Sequence, residues 1–192
     1  MTICVVRHGE TDWNKEKRFQ GREDVHLNEQ GFAQARKTAE WLAQGEWGAV
    51  VSSPLTRAKQ TAQVIAERLA LPCVDIAELL IERDVGAAGG LSQAEREARF
   101  PDGCDACMEP WEDLQRRGQA ALLACARAYE GKDVIVVSHG FLIAAVLSAF
   151  LGAEAAPAAL FLKNACVNLF TYGDGKLAVQ DYNLSAVEMM GR

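Results

Sequence analysis

The chain has 192 residues, of which 49% are hydrophobic and 24% charged, with a formal net charge of -6. A chain of this length buries roughly 70% of its unfolded surface, so one domain over residues 1–192 is expected, and the composition excludes fibrous and disordered classes. The negative balance argues against nucleic acid or an anionic membrane as partner, since both demand clustered Lys and Arg.

Taken in chain order, Ile3, Cys4, Val5 and Val6 predict a first strand, and a charged loop follows over residues 10–24. Asn28 is a good cap for a helix on which Phe32, Ala35, Ala39 and Leu42 recur on one face until Gly45. Residues 49–52 predict a second strand that ends in Ser52-Ser53-Pro54. With Ser53 as cap and Pro54 in first position, a helix is expected over 54–69, with Arg57 in its first turn. A third strand over 71–76 leads to Glu82 and a Gly-rich loop, 86–90. Ser92 and Glu95 have capping-box spacing for a short helix to about Arg99, which Phe100-Pro101-Asp102-Gly103 breaks. A longer helix over 111–129 precedes the run Val134-Ile135-Val136-Val137, which reads as a buried parallel strand over 133–138. That strand delivers His139-Gly140 into an Ala- and Leu-rich helix over 141–151, and two closing strands, 167–172 and 177–181, flank Gly173-Asp174-Gly175. Strands alternating with helical segments predict an α/β fold, a three-layer α/β/α sandwich around a mostly parallel central sheet.

The six cysteines are scattered, several inside apolar runs where Cys behaves as a small hydrophobe, which suits a reducing cytoplasm. Cys104 and Cys107 have half of a metal-site spacing with no second pair to complete it, so they are expected to be free thiols. No targeting segment is expected before the first strand, and the apolar run 141–151 is too short to span a bilayer.

Ligands of open α/β sheets bind beyond the carboxyl ends of the strands. Arg7 and His8 end the first strand, Arg57 follows the second, Glu82 the third, and His139 ends the Val134 strand. Two histidines, two arginines and a carboxylate on one rim suit phosphoryl transfer through a covalent intermediate. Arg offers planar multiple donors to phosphate oxygens. An imidazole nitrogen is a nucleophile if the other nitrogen's N–H is held. A carboxylic acid protonates the departing alkoxide and then activates water. Glu10, Glu78 and Asp84 compete with Glu82 for that role, and Arg7 has Glu10 and Asp12 nearby as possible ion-pair partners.

The stretches Arg7-His8-Gly9-Glu10-Thr11-Asp12-Trp13-Asn14, Arg18-Phe19-Gln20-Gly21, Ser52-Ser53-Pro54-Leu55-Thr56-Arg57-Ala58, Glu82-Arg83-Asp84 and Ser138-His139-Gly140 together resemble the histidine phosphatase superfamily, the phosphoglycerate mutase-like group, over nearly the whole chain. The resemblance implies that His8 is phosphorylated, that Arg7, Arg57, His139 and Asn14 bind phosphoryl oxygens, and that Glu82 is the proton donor. Gln20 and Gly21 match a loop that contacts substrate, and Gly140 a position whose N–H can face the phosphate. No metal or organic cofactor is expected. Ala144 stands where Arg is frequent in the family, and the loop 85–90 lacks the aromatic residue common there.

A small phosphorylated metabolite is the expected partner, and exposed closing strands leave a homodimer open. The segment 91–111 is compact, and Arg96, Arg99, Arg116 and Arg117, the only candidates for the paired arginines of a mutase, read equally well as helix-surface charge. A phosphomonoesterase is therefore expected ahead of a phosphoglycerate mutase, with a non-catalytic phospho-ligand binding module as the alternative from another class.

Overall fold

A computed structural model of the chain describes residues 1–152, 161–186 and 188. Six strands, β1 (Thr2–Arg7), β2 (Ala49–Ser52), β3 (Val74–Ile76), β4 (Val134–Ser138), β5 (Val167–Gly173) and β6 (Lys176–Leu184), form one sheet in the order β3-β2-β4-β1-β5-β6. The first four in that order run parallel, while β5 pairs antiparallel with β1 and β6 antiparallel with β5. The α-helices are α1 (Asp12–Lys15), α2 (Glu29–Leu42), α3 (Thr56–Arg68), α4 (Gln93–Arg99), α5 (Trp111–Ala128) and α6 (Gly140–Leu151).

The three layers follow from the two-residue period of the strands. Ile3, Val5, Val51, Val134 and Val136 pack with Leu122 and Ala126 of α5 and with Ile143 and Leu147 of α6. The alternate residues Cys4, Val6, Val50, Ile135 and Val137 pack on the opposite face with Leu42 of α2 and with Ala58, Ala62 and Ile65 of α3. The four residues 134–137 are fully buried, and each contributes roughly 1.5–3 kcal/mol of apolar burial.

The expected elements are present with shifted edges. The third strand begins only at Val74, since Pro72 has no N–H for the ladder. The segment 10–24 holds the short helix α1, whose cap Thr11 shares a capping box with Asn14. α3 starts at Thr56, two residues later than the Ser53-Pro54 pattern implies. Asp24 receives the Thr56 N–H at 2.6 Å and its hydroxyl at 2.7 Å, so the start of α3 is held from another loop, and Ser53 is engaged elsewhere.

Chain order and strand order differ at one place that matters. β4 is inserted between β1 and β2, with Arg7 in register with Ser138, and Ser52 with Val137. Three strand ends distant in sequence thereby become neighbours on the carboxyl rim. Close backbone contact fixes the turn after β1 there: a Cβ on Gly9 would lie 2.4 Å from the Gly31 carbonyl oxygen, so only glycine lets the turn approach α2.

Candidate active site

Residues 7 and 8 leave β1 with His8 almost wholly buried. Nδ1 of His8 lies 2.7 Å from the carbonyl oxygen of Gly9. A carbonyl only accepts, so Nδ1 carries the hydrogen and Nε2 presents a lone pair. Burial, reinforced by Arg57 and Arg7, holds the His8 pKa well below its usual value, which keeps the ring neutral. The His139 ring stands 5.3 Å away, centroid to centroid, at the end of the adjacent strand.

Two guanidiniums flank these rings. Arg57, fully buried, donates to the carbonyls of Glu23 at 2.6 Å and Gly21 at 2.7 Å, which leaves its Nε without a protein partner. Burial lowers its pKa to about 10, against the opposing pull of Glu82 and Asp24. Arg7 donates to the Leu162 carbonyl, and its Nε is likewise buried without a partner. Neither Glu10 nor Asp12 pairs with it; both accept from the Asn28 amide instead. Such buried donors are suited to a multiply charged oxyanion.

Of the four carboxylates open from sequence, Glu82 lines the cleft, and Glu10, Glu78 and Asp84 do not. It is buried and accepts the N–H groups of Phe141 at 3.2 Å and Leu142 at 3.1 Å, at the start of α6, and that of Arg83 at 2.9 Å. Gly140 is the first residue of α6 and lines the same cleft; its N–H belongs to the set that a helix leaves without an internal acceptor. Asn14 accepts from Thr11 and Asn164 through Oδ1 and faces the cleft. Gln20 and Gly21 line it too. Gly21 has φ +49°, and a Cβ there would lie 2.3 Å from Val85 Cγ2, so glycine alone lets its carbonyl turn to Arg57. Arg7, His8, Asn14, Gln20, Gly21, Arg57, Glu82 and Gly140 thus line one cleft of about 990 Å³, and His139 is buried behind it beside His8.

Sequence reasoning missed much of the cleft wall. Phe19, Arg83, Met108, Trp111, Phe141 and Phe161 line it; Phe19 and Arg83 fall inside the sequence motifs without a role of their own, and no local pattern marks the other four, because they meet only through the packing of distant segments. Arg117 needs a correction. Read as surface charge, it instead donates to the carbonyls of Leu79 at 2.8 Å, Ile81 at 2.6 Å and Glu82 at 3.2 Å, and pairs with Glu109 at 2.8 Å. It lies under the loop that carries Glu82, next in sequence to the more exposed Arg116. Arg117→Met keeps the packing but strands those carbonyls, and is expected to cost about 2–3 kcal/mol in urea unfolding; an unchanged midpoint would refute the bracing role.

Cys104 and Cys107 are free thiols at the cleft's edge, and among the described residues no three His, Cys, Asp or Glu side chains group as a metal site. No described helix is long and apolar enough to cross a membrane.

The family model of the histidine phosphatase superfamily (branch 1) matches residues 3–185. The chain belongs to that superfamily. As a histidine phosphatase superfamily member it is 40% identical to the uncharacterised phosphatase PhoE of Bacillus subtilis over 96% of this chain and 95% of that protein. It is 31% identical to a probable phosphoglycerate mutase GpmB of Enterobacter sp., over 100% of this chain and 93% of that one. Among solved structures, a mycobacterial glucosyl-3-phosphoglycerate phosphatase superposes with a TM-score of 0.85 at 30% identity, covering 96% of this chain and 99% of that one. The phosphoglycerate mutase-like fold expected from the motifs is thus the observed one.

Both site histidines make stability depend on pH. Burial holds the pKa of His8 and of His139 well below 6.5, so below pH 6.5 the unfolded chain binds protons that the folded one refuses. Stability is then highest above pH 6.5 and falls as the pH drops beneath it. The melting temperature is expected to decline from pH 7 to pH 5, and His139→Asn should flatten that decline; an identical slope in the variant would refute the assignment.

Proposed function

We infer that this chain is a phosphomonoesterase that works through a phosphohistidine on His8. The observation that carries the reading is the His8 ring held neutral with its Nε2 free, between two buried guanidiniums with unpartnered Nε groups. Nε2 attacks phosphorus in line as the bond to the leaving oxygen breaks, and the carboxylic acid of Glu82 gives its proton to that oxygen. Glu82, now a carboxylate, takes a proton from the entering water. The water oxygen bonds to phosphorus, the N–P bond breaks, and His8 and inorganic phosphate are released. Arg7, Arg57, His139, Asn14 and the Gly140 N–H stabilise the charge spread over the equatorial oxygens in both steps.

Hydrolysis is favoured over mutase chemistry by how the nearby cations are spent. A mutase must hold a carboxylated substrate while the phosphoryl group returns to it. Arg117 is committed to carbonyls and Glu109, Arg96 lies 3.6 Å over the Phe19 ring, and Arg83 donates to the Glu109 carbonyl while stacking on Trp111 and Phe141. Phe19, Met108, Trp111, Phe141 and Phe161 offer an apolar wall that favours a leaving group with apolar or aromatic surface. The GpmB relatives make isomerisation the reading to beat.

Purified protein should hydrolyse a naphthyl phosphate with a kcat/KM roughly tenfold or more above that for 3-phosphoglycerate, the scale of one or two buried methylenes. Isomerisation of 3-phosphoglycerate faster than its hydrolysis would overturn the phosphatase reading in favour of a mutase. Binding of phosphate esters with no turnover would point to a binding module.

A further inference from the structure

Ser53 has no part in the mechanism above, yet it lies against one of its residues. Its side chain and that of His139 are fully buried, and Oγ stands 2.6 Å from Nε2 of His139. The pairing comes from the sheet: Ser53 follows β2, its N–H donates to the Val137 carbonyl at 3.0 Å, and His139 follows β4.

The hydrogens decide which group donates. Ser53 Oγ already receives the Leu55 N–H at 3.3 Å, so it has one hydroxyl hydrogen to give and a remaining lone pair. If Nε2 of His139 carried the ring hydrogen, two N–H groups would converge on one oxygen. The buried hydroxyl hydrogen would then lack an acceptor, and Nδ1 would offer a lone pair where an anion is to be bound. With the hydroxyl donating to Nε2, both hydrogens at Ser53 Oγ are used, and Nδ1 carries the ring hydrogen, which is left for a ligand. Nδ1 is the buried ring nitrogen that has no partner within the protein. Burial first, then the positive field of Arg57, with Arg7 and Arg117 adding to it, keeps the ring neutral, so the tautomer decides whether it can donate at all.

We propose that Ser53 is a positioning residue: by donating its hydroxyl hydrogen to Nε2 it holds His139 as the Nδ1–H tautomer, which makes that ring a donor to phosphoryl oxygens. The two histidines then share a tautomer and perform opposite tasks. His8, with Nδ1–H given to Gly9, exposes Nε2 as a nucleophile; His139, with Nε2 occupied by Ser53, keeps Nδ1–H for the anion. The functional half of this rests on the phosphatase reading, and the tautomer half does not.

Long-range proton–nitrogen correlation on the nitrogen-15-labelled full chain near pH 7.5 reads the tautomer directly, since protonated and bare imidazole nitrogens differ widely in shift. Wild-type His139 should show a protonated Nδ1, and Ser53→Ala should lose that preference. With an aryl phosphate, Ser53→Ala should lower kcat/KM on the order of 10- to 100-fold, the size of effect seen when the outer partner of a working histidine is removed. It should weaken vanadate inhibition by a similar factor, while Ser53→Thr, which keeps a hydroxyl, restores most of both. A wild-type His139 protonated at Nε2 overturns the proposal, as does a Ser53→Ala protein with unchanged tautomer and activity within twofold. Should Ser53→Ala fail to fold, the wild-type spectrum and Ser53→Thr decide. Should the chain show no phosphatase turnover, the spectrum still tests the tautomer, so the two failures are told apart.

Discussion

Replacing His8 with alanine is expected to lower turnover of an aryl phosphate on the order of 10⁵-fold, the scale on which loss of a covalent nucleophile acts. No neighbouring group takes over. His139 is 5.3 Å away, centroid to centroid, with Nε2 engaged by Ser53, and Glu82 is tied to the start of α6. The variant should still fold, because the imidazole's contact within the protein is with its neighbour's carbonyl and the backbone of residue 8 holds the strand-end contacts to Ser138 and Ala165. Rapid quenching with phosphorus-32-labelled substrate should trap an acid-labile, base-stable label on the wild-type chain and none on His8→Ala. A variant within tenfold of wild type would remove the phosphohistidine route.

Arg57→Ala is expected to cost roughly 3 kcal/mol of transition-state stabilisation, a loss of about two orders of magnitude in kcat/KM. Stability should fall as well, because the carbonyls of Gly21 and Glu23, by which Arg57 ties the 20–24 loop to α3, lose their donor. Arg57→Lys separates the two effects. An ammonium restores the charge but cannot hold two carbonyls and a phosphoryl oxygen at once, so it should regain little activity. Kinetics taken well below each variant's melting temperature distinguish lost catalysis from lost folding, and a loss within twofold for Arg57→Ala would exclude it from the site.

Local signals carried the elements far, and failed where a distant partner intervened. The Val134-Ile135-Val136-Val137 run, the Asn28 cap and the Ser92–Glu95 capping box each act within a few residues, and each is where its pattern puts it. Ser53-Pro54 carries an equally good capping pattern, but the Ser53 hydroxyl goes to His139, and Asp24 takes over the start of α3. Arg117 reads as surface charge by residue type alone, although it stands three residues after Leu114 and four before Ala121 on the buried stripe of its helix, and nothing nearby in sequence announces the carbonyls of residues 79, 81 and 82 above it. The apolar cleft wall was hidden for the same reason, since Phe19, Trp111 and Phe161 come from segments far apart in the chain.

By itself the sequence determined that strands would end in Arg7-His8 and His139 and lead to Arg57 and Glu82, because strand periodicity and turn chemistry are properties of neighbouring residues. Five spaced motifs also sufficed for the superfamily. Tertiary structure decided that β4 lies between β1 and β2, which sets His139 beside His8 on one side and Ser53 on the other. It also decided which of four carboxylates lines the cleft, and which nitrogen of each ring is free. Those outcomes depend on non-local pairing and on the completion of buried hydrogen bonds, which no window of the chain contains.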